Sequence, residues 1–142
     1  MQRPASIVRY EQLYLASFVL GLVASGVNWQ ARAAQLAANP ALANMQWLAP
    51  LSLVIGIVIA VTLWYFTARK PSAAAKWVVV VFAALSVLGI GGNILTLLRG
   101  GPVFAVLLGV VVSLLYIAAA VLLFRPDAKI WFGEQVNGDD PA

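Results

Sequence analysis

The chain has 142 residues, 63% of them hydrophobic and only 10% charged, and its mean hydropathy is +0.93. Soluble domains usually carry about 25% charged residues, so this composition excludes a water-soluble globule and leaves no room for a separate soluble domain. Cysteine and histidine are both absent, which excludes disulfides, thiolate metal sites, a thiol nucleophile, the commonest general base and the usual haem ligand.

No Asp, Glu, Lys, Arg or His occurs within residues 12–31, 33–68, 77–98 or 100–124. About 20 apolar residues in a helix cross the roughly 30 Å hydrocarbon core of a bilayer. The pattern therefore predicts an all-α integral membrane four-helix bundle with short connections. One domain covers residues 1–136 and a polar tail covers 137–142.

The first predicted span is about 12–29, preceded by a short basic, amphipathic lead containing Arg3, Arg9, Tyr10 and Glu11. Ala31-Arg32-Ala33 has the small-x-small form of a leader cleavage site, but the apolar stretch exceeds a typical h-region, so the span is read as retained. Alanine-rich residues 30–38 predict a helix projecting about two turns beyond the bilayer. Asn39-Pro40 ends it, because a residue before proline disfavours the α region.

The second span is about 47–67, with Pro50 tolerated in its first turn and Trp64-Tyr65-Phe66 at headgroup level. After Arg69-Lys70-Pro71, Ser72 is a suitable N-cap for a third span at 73–98. The fourth, at 102–124, begins with Pro102 in its first helical position. Arg125-Pro126 ends it, and Asp127 caps a short interfacial C-terminal helix bearing Trp131 and Phe132.

An even number of spans puts Arg3, Arg9, Arg69, Lys70, Lys76, Arg125 and Lys129 on one side and leaves Arg32 and Arg99 on the other. Seven against two predicts both termini in the cytoplasm. Trp64, Arg69, Lys70, Lys76, Trp77, Arg125, Lys129 and Trp131, with Tyr65, Phe66 and Phe132, form the expected belt of interfacial anchors. The net charge of +4 then reflects contact with anionic headgroups and not with nucleic acid.

Each span carries small residues on one face: Ser17, Gly21 and Ala24; Ser52, Gly56 and Ala60; Ala83, Ser86, Gly89 and Gly92; Ala105, Gly109 and Ser113. Small residues let membrane helices approach closely, so these stripes face the bundle interior or a partner. Three glycines in Gly89-Ile90-Gly91-Gly92 permit close approach or a kink. Asn28 and Asn93 are candidates to pair across helices, line a polar cavity or reach headgroup water.

The spans hold no ionisable residue of the kind that proton-coupled transport uses, and no nucleophile–base set occurs. Glu11 is read as an interfacial partner of a nearby arginine. The sequence predicts no enzyme activity and no cofactor. It favours an accessory or scaffold protein acting through helix–helix contacts with itself or a larger complex. A second reading is an oligomeric small-solute pore using Asn28, Ser86, Asn93 and Ser113. Binding of a lipid or amphiphile is a third.

The opening Ile7-Val8-Arg9-Tyr10-Glu11-Gln12-Leu13-Tyr14-Leu15 and the closing Phe124-Arg125-Pro126-Asp127-Ala128-Lys129-Ile130-Trp131-Phe132 resemble a set of small uncharacterised four-span inner-membrane proteins of Gram-negative bacteria. The resemblance covers most of the chain, including Leu63-Trp64-Tyr65-Phe66 and Ala75-Lys76-Trp77. It implies a bacterial inner-membrane location and a fold, and carries no activity. Small multidrug transporters share the length, but they place a glutamate inside the first span, where Ala16–Gln30 has none.

Overall fold

The computed structural model describes residues 2–134, so the tail at 137–142 lies outside the described residues. The chain forms α1 (Ala5–Val27), α2 (Trp29–Ala38), α3 (Leu48–Trp64) with a π-helical turn (Tyr65–Arg69), α4 (Ala73–Leu98), α5 (Val103–Leu122) and α6 (Pro126–Trp131). The fold is an all-α four-helix bundle. Four helices, α1, α3 with its π turn, α4 and α5, are long and apolar enough to cross a membrane.

The boundaries follow local chemistry. α1 begins at Ala5 and takes in the lead before the predicted span, whose Ser6, Ile7, Tyr10 and Glu11 turn inward and are buried. Asn28 interrupts the helix at φ −92°, ψ 4°, and its Nδ2 donates to the Ala24 carbonyl at 2.9 Å. Helix then resumes as α2 and stops where Asn39 becomes extended before Pro40. The helix expected over residues 30–38 is therefore present, as a separate element after a break.

α4 coincides with the predicted third span. The Ser72 hydroxyl accepts from the Ala75 N–H at 3.3 Å, satisfying one of the donors that a helix N-terminus leaves unpaired. α4 runs unbroken through Gly89, Gly91 and Gly92, so these glycines produce no kink. It ends in a Schellman turn: Gly100 N–H bonds to the Leu97 carbonyl at 3.0 Å and Gly101 N–H to the Thr96 carbonyl at 2.9 Å. Gly100 has φ +80°, and a Cβ on Gly101 would stand 2.8 Å from the Thr96 carbonyl oxygen, so both positions demand glycine. Pro102 is the N-cap of α5, not its first helical residue.

Packing is uneven. α5 lies at the centre with α1 and α4 along its two sides, whereas α3 touches the others sparingly. Nearly all buried residues gather where the start of α1, the end of α3, the start of α4, the end of α5 and α6 meet. Ile7, Tyr10, Tyr14, Leu63, Ala68, Ala75, Val79, Ala119, Ala120, Leu123, Ala128 and Phe132 form this core. The bundle thus has a closed end and, around Asn28, Leu48, Leu98 and Val103, an open one.

The small-residue stripes divide accordingly. Ser17 Oγ donates to the Val112 carbonyl at 3.0 Å, and a Cβ on Gly21 would meet Val112 at 3.8 Å, so this stripe seats α1 on α5. The Asn93 side chain fills the place a Cβ on Gly109 would take, joining α4 to α5. Gly56, Gly89, Gly91 and Gly92 face open space, and Gly89 and Gly92 are exposed. They do not pack within the chain, as an inward-facing stripe would. Gly109→Leu is accordingly expected to separate α4 from α5 and lower the melting temperature in detergent, whereas Gly89→Leu leaves it within a few degrees. Thermal unfolding followed by circular dichroism checks both.

Candidate functional site

The closed end is knit by charge. The Glu11 carboxylate, on α1, accepts from Arg3 Nη1 at 2.6 Å, from Arg69 Nη2 at 3.0 Å and from Trp64 Nε1 at 3.2 Å. Arg69 also lies over the Trp64 ring, 5.4 Å from its centroid. Glu11 is thus the expected arginine partner, and its partners are Arg3 and Arg69. The π turn takes part in this arrangement. The Lys70 N–H reaches back five residues to the Tyr65 carbonyl at 2.9 Å, Thr67 and Ala68 turn into the core, and the Thr67 carbonyl receives Trp131 Nε1 at 3.2 Å. π turns of this kind recur at functional positions.

Lys76 departs from the sequence reading. Expected at the headgroups, it is only 1% exposed. Its Nζ bonds to both Glu134 oxygens at 2.8 Å and stands 4.8 Å from the Phe124 ring centroid and 5.6 Å from that of Phe132. A buried ammonium needs a countercharge, and aromatic faces add to it. The countercharge arrives because Gly133, at φ +72°, turns the chain at the end of α6: Gly133 N–H bonds to the Ile130 carbonyl and Glu134 N–H to the Lys129 carbonyl.

Asp127 also differs from expectation. It sits in the first turn of α6, whose N-cap residue is Arg125, and its main partner lies elsewhere. Oδ2 accepts from the Ser6 N–H at 3.1 Å and Oδ1 from the Ser6 hydroxyl at 2.5 Å, so it caps α1 across 121 residues and places a negative charge at a positive helix terminus. Burial pushes the Asp127 carboxyl up, but the Ser6 bonds and neighbouring backbone amides outweigh it and hold the group below the usual carboxylate range. α6 is therefore docked on the end of the bundle, with Ala128 and Phe132 buried, and does not lie free along the interface. Of the other expected anchors, Trp77 and Arg125 are exposed, and Lys70 lies 5.7 Å from the Tyr65 ring centroid.

Tyrosines carry the polar network inward. Tyr14 Oη donates to the Ala60 carbonyl at 2.8 Å, and the Tyr14 and Tyr116 rings are 5.5 Å apart. The buried Tyr10 and Thr67 hydroxyls are neighbours, but their geometry makes no hydrogen bond. Beyond Tyr14, α3 stands away from the bundle. A cleft of about 330 Å³ lies between α1 and α3, lined by Phe18, Gly21, Leu53, Gly56, Ile57 and Tyr116 among others. Another of about 250 Å³ opens on the α4 side of α3, past Gly56, Ala60, Phe82 and Ser86. A third hollow, of about 530 Å³, lies between α2 and the start of α3 and shares Arg32 and Ser52 with the first.

These clefts bring together Ser17, Gly21, Ser52, Gly56, Ala60 and Ser86 from the predicted stripes. Neither Asn28 nor Asn93 lines them. The asparagines do not pair: Asn28 caps its own helix and Asn93 covers Gly109. Ala24, Ala105 and Ser113 are half-buried. The sequence reading missed the cleft itself, Arg32 at its mouth, Asp127 on α1 and Glu134 on Lys76. Searches against protein-family models, curated proteins and solved structures found no match.

Two outcomes follow at the closed end. Because the folded Asp127 carboxyl titrates below its unfolded value of about 3.9, its contribution to stability is complete above that value and is lost as pH falls through the folded value. Asp127→Asn should cost about 1–2 kcal/mol at pH 7 and flatten the acid limb of a melting-temperature profile. Ser6→Ala should add little to it, as expected for one shared interaction. Glu134→Ala, which leaves the Lys76 charge buried alone, should cost about 3 kcal/mol, the low end for a buried pair because the Glu134 side chain is partly exposed. Lys76→Met combined with Glu134→Gln should recover most of that in thermal unfolding.

Proposed function

We propose that this multi-pass protein is a non-enzymatic accessory or scaffold protein of the bacterial inner membrane, with both termini in the cytoplasm, working through helix–helix contacts as a homo-oligomer or as a subunit of a larger complex. The observation that carries this reading is the outer half of α4. Gly89, Gly91 and Gly92 meet nothing where a Cβ would stand, while the large side chains beside them, Leu88 at 72% and Leu98 at 78%, are exposed. Lipid packs on such a surface about as well as on any other. A second helix gains more from it, because small residues let two backbones come close.

Support for the orientation comes from the gathering of Arg3, Arg69, Lys76 and Lys129 at the closed end, with Arg32 and Arg99 at the other. The resemblance to small four-span inner-membrane proteins agrees with this location. A small-solute pore has less support. Ser86 donates to its own helix at the Phe82 carbonyl, Asn28 and Asn93 are engaged elsewhere, and the Tyr14–Ala60 bond closes the cleft beside α3 from within.

Reporter fusions at residues 40 and 142 should give periplasmic and cytoplasmic signals respectively. Cysteines placed at the exposed positions 88 and 95 beside the glycines should cross-link between chains or to a co-purifying subunit, and adding Gly89→Leu with Gly92→Leu should abolish that link while the protein stays folded. A strict monomer in native membranes that captures no partner and ignores both changes would refute the proposal.

A further inference from the structure

The geometry points to the cleft between α1 and α3 as a binding site for one anionic phospholipid, its acyl chain lying against Phe18, Gly56 and Ile57 and its phosphate held at the mouth by Arg32, Gln35 and Asn39. This site uses a different face from the α4 surface discussed above and stands or falls separately from it.

Three features of the cleft select that occupant. The first is depth. From the Tyr14–Ala60 hydrogen bond to Ser25 on α1 the wall is about 16 Å long at about 1.5 Å per residue. That is half of a roughly 30 Å hydrocarbon core, the depth of one leaflet. A partner helix would need the full depth, and a permeating solute would need an exit. Neither is available past Tyr14, Leu63 and Trp64, which belong to the closed core or pack against it. An acyl chain from a single leaflet fits the blind end.

The second feature is polarity along the length. The inner part is walled mostly by apolar side chains, and the serines Ser25 and Ser52 stand toward the mouth. The adjoining hollow past Ser52 adds Arg32, Gln35 and Asn39. These lie at spacings of three and four on α2 and its end, so they share one face. Their donors suit a phosphate: Asn39 Oδ1 already accepts from the Ala41 N–H at 3.1 Å, leaving its amide hydrogens for an anion.

The third feature is charge. Arg3, Arg69 and Lys76 are each spent on a carboxylate of this chain, whereas Arg32 makes no ion pair among the described residues. A guanidinium at the mouth of an apolar, laterally open cleft one leaflet deep is complementary to a lipid bearing net negative charge.

The test is reconstitution of the full chain in phosphatidylcholine vesicles carrying a trace of phosphatidylglycerol with a photoreactive group at the end of its acyl chain. Illumination should label residues 14–22 and 53–60. A phosphatidylcholine probe with the same chain should label them about fivefold less. Arg32→Gln should abolish that difference, and Arg99→Gln, at the other basic residue of the open end, should preserve it. Gly56→Phe, whose ring enters free space, should suppress labelling of the cleft by either probe while the circular dichroism melt is unchanged. If that variant proves unfolded, Ser52→Trp at the mouth serves the same purpose. Equal labelling by the two probes, labelling around Leu88 and Leu98 as strong as in the cleft, or a second copy's helix cross-linked into the cleft would each overturn the assignment.

Discussion

The Glu11 carboxylate is the point on which the arrangement turns. Apolar contacts between helices gain little in lipid, because the hydrocarbon outside is as apolar as the side chains inside. A charge-assisted bond to a largely buried carboxylate has no such competitor in the hydrocarbon. Glu11 draws the N-terminal Arg3, the α3 tryptophan Trp64 and the π-turn arginine Arg69 to one spot on α1. Leu63 is the one buried residue of α3, so α3 owes its position to this carboxylate, to the Tyr14–Ala60 bond and to Trp131 on Thr67. Because all of these act at one end, the other end is left open, and the clefts beside α3 are the result.

How much of this the amino-acid sequence discloses depends on the distance between partners along the chain. α4 is legible to the residue because its signals are local: Ser72 before it, Gly100 and Pro102 after it, and unbroken apolarity between. That the helix of the first span begins seven residues before the span is not legible, because Ser6, Ile7, Tyr10 and Glu11 look amphipathic on their own and are buried only by segments far along the chain. Lys76 has the composition and position of a headgroup anchor. Its burial depends on Glu134, 58 residues away, and on a glycine turn whose effect shows only in three dimensions. Asp127 has a local role in the first turn of α6, but its two bonds to Ser6, 121 residues away, are not legible locally.

The stripes teach a related lesson. Spacings of three and four identify a face but not what covers it. Ser17 and Gly21 lie against α5, Gly109 lies under Asn93, Gly56 borders a cleft, and Gly89 and Gly92 meet nothing in the chain. Identical patterns serve four different surroundings because α5 occupies the centre and α3 does not. The centrality of α5 is hidden too: the other three spans are also long and apolar enough to cross a membrane, and only the Val112 carbonyl and the space above Gly109 mark α5 as the helix on which α1 and α4 meet.

The cap that Asp127 places on Ser6 also fixes an order of events. Chains are made from the N-terminus, so α1 leaves the ribosome long before its capping residue exists, and Lys76 is in place before Glu134. Until residues 125–134 emerge, the first turn of α1 lacks its carboxylate and an ammonium in α4 lacks its countercharge. The shortest α-helix among the described residues is therefore the fastener of the bundle, and the closed end matures only once residues 125–134 have been made.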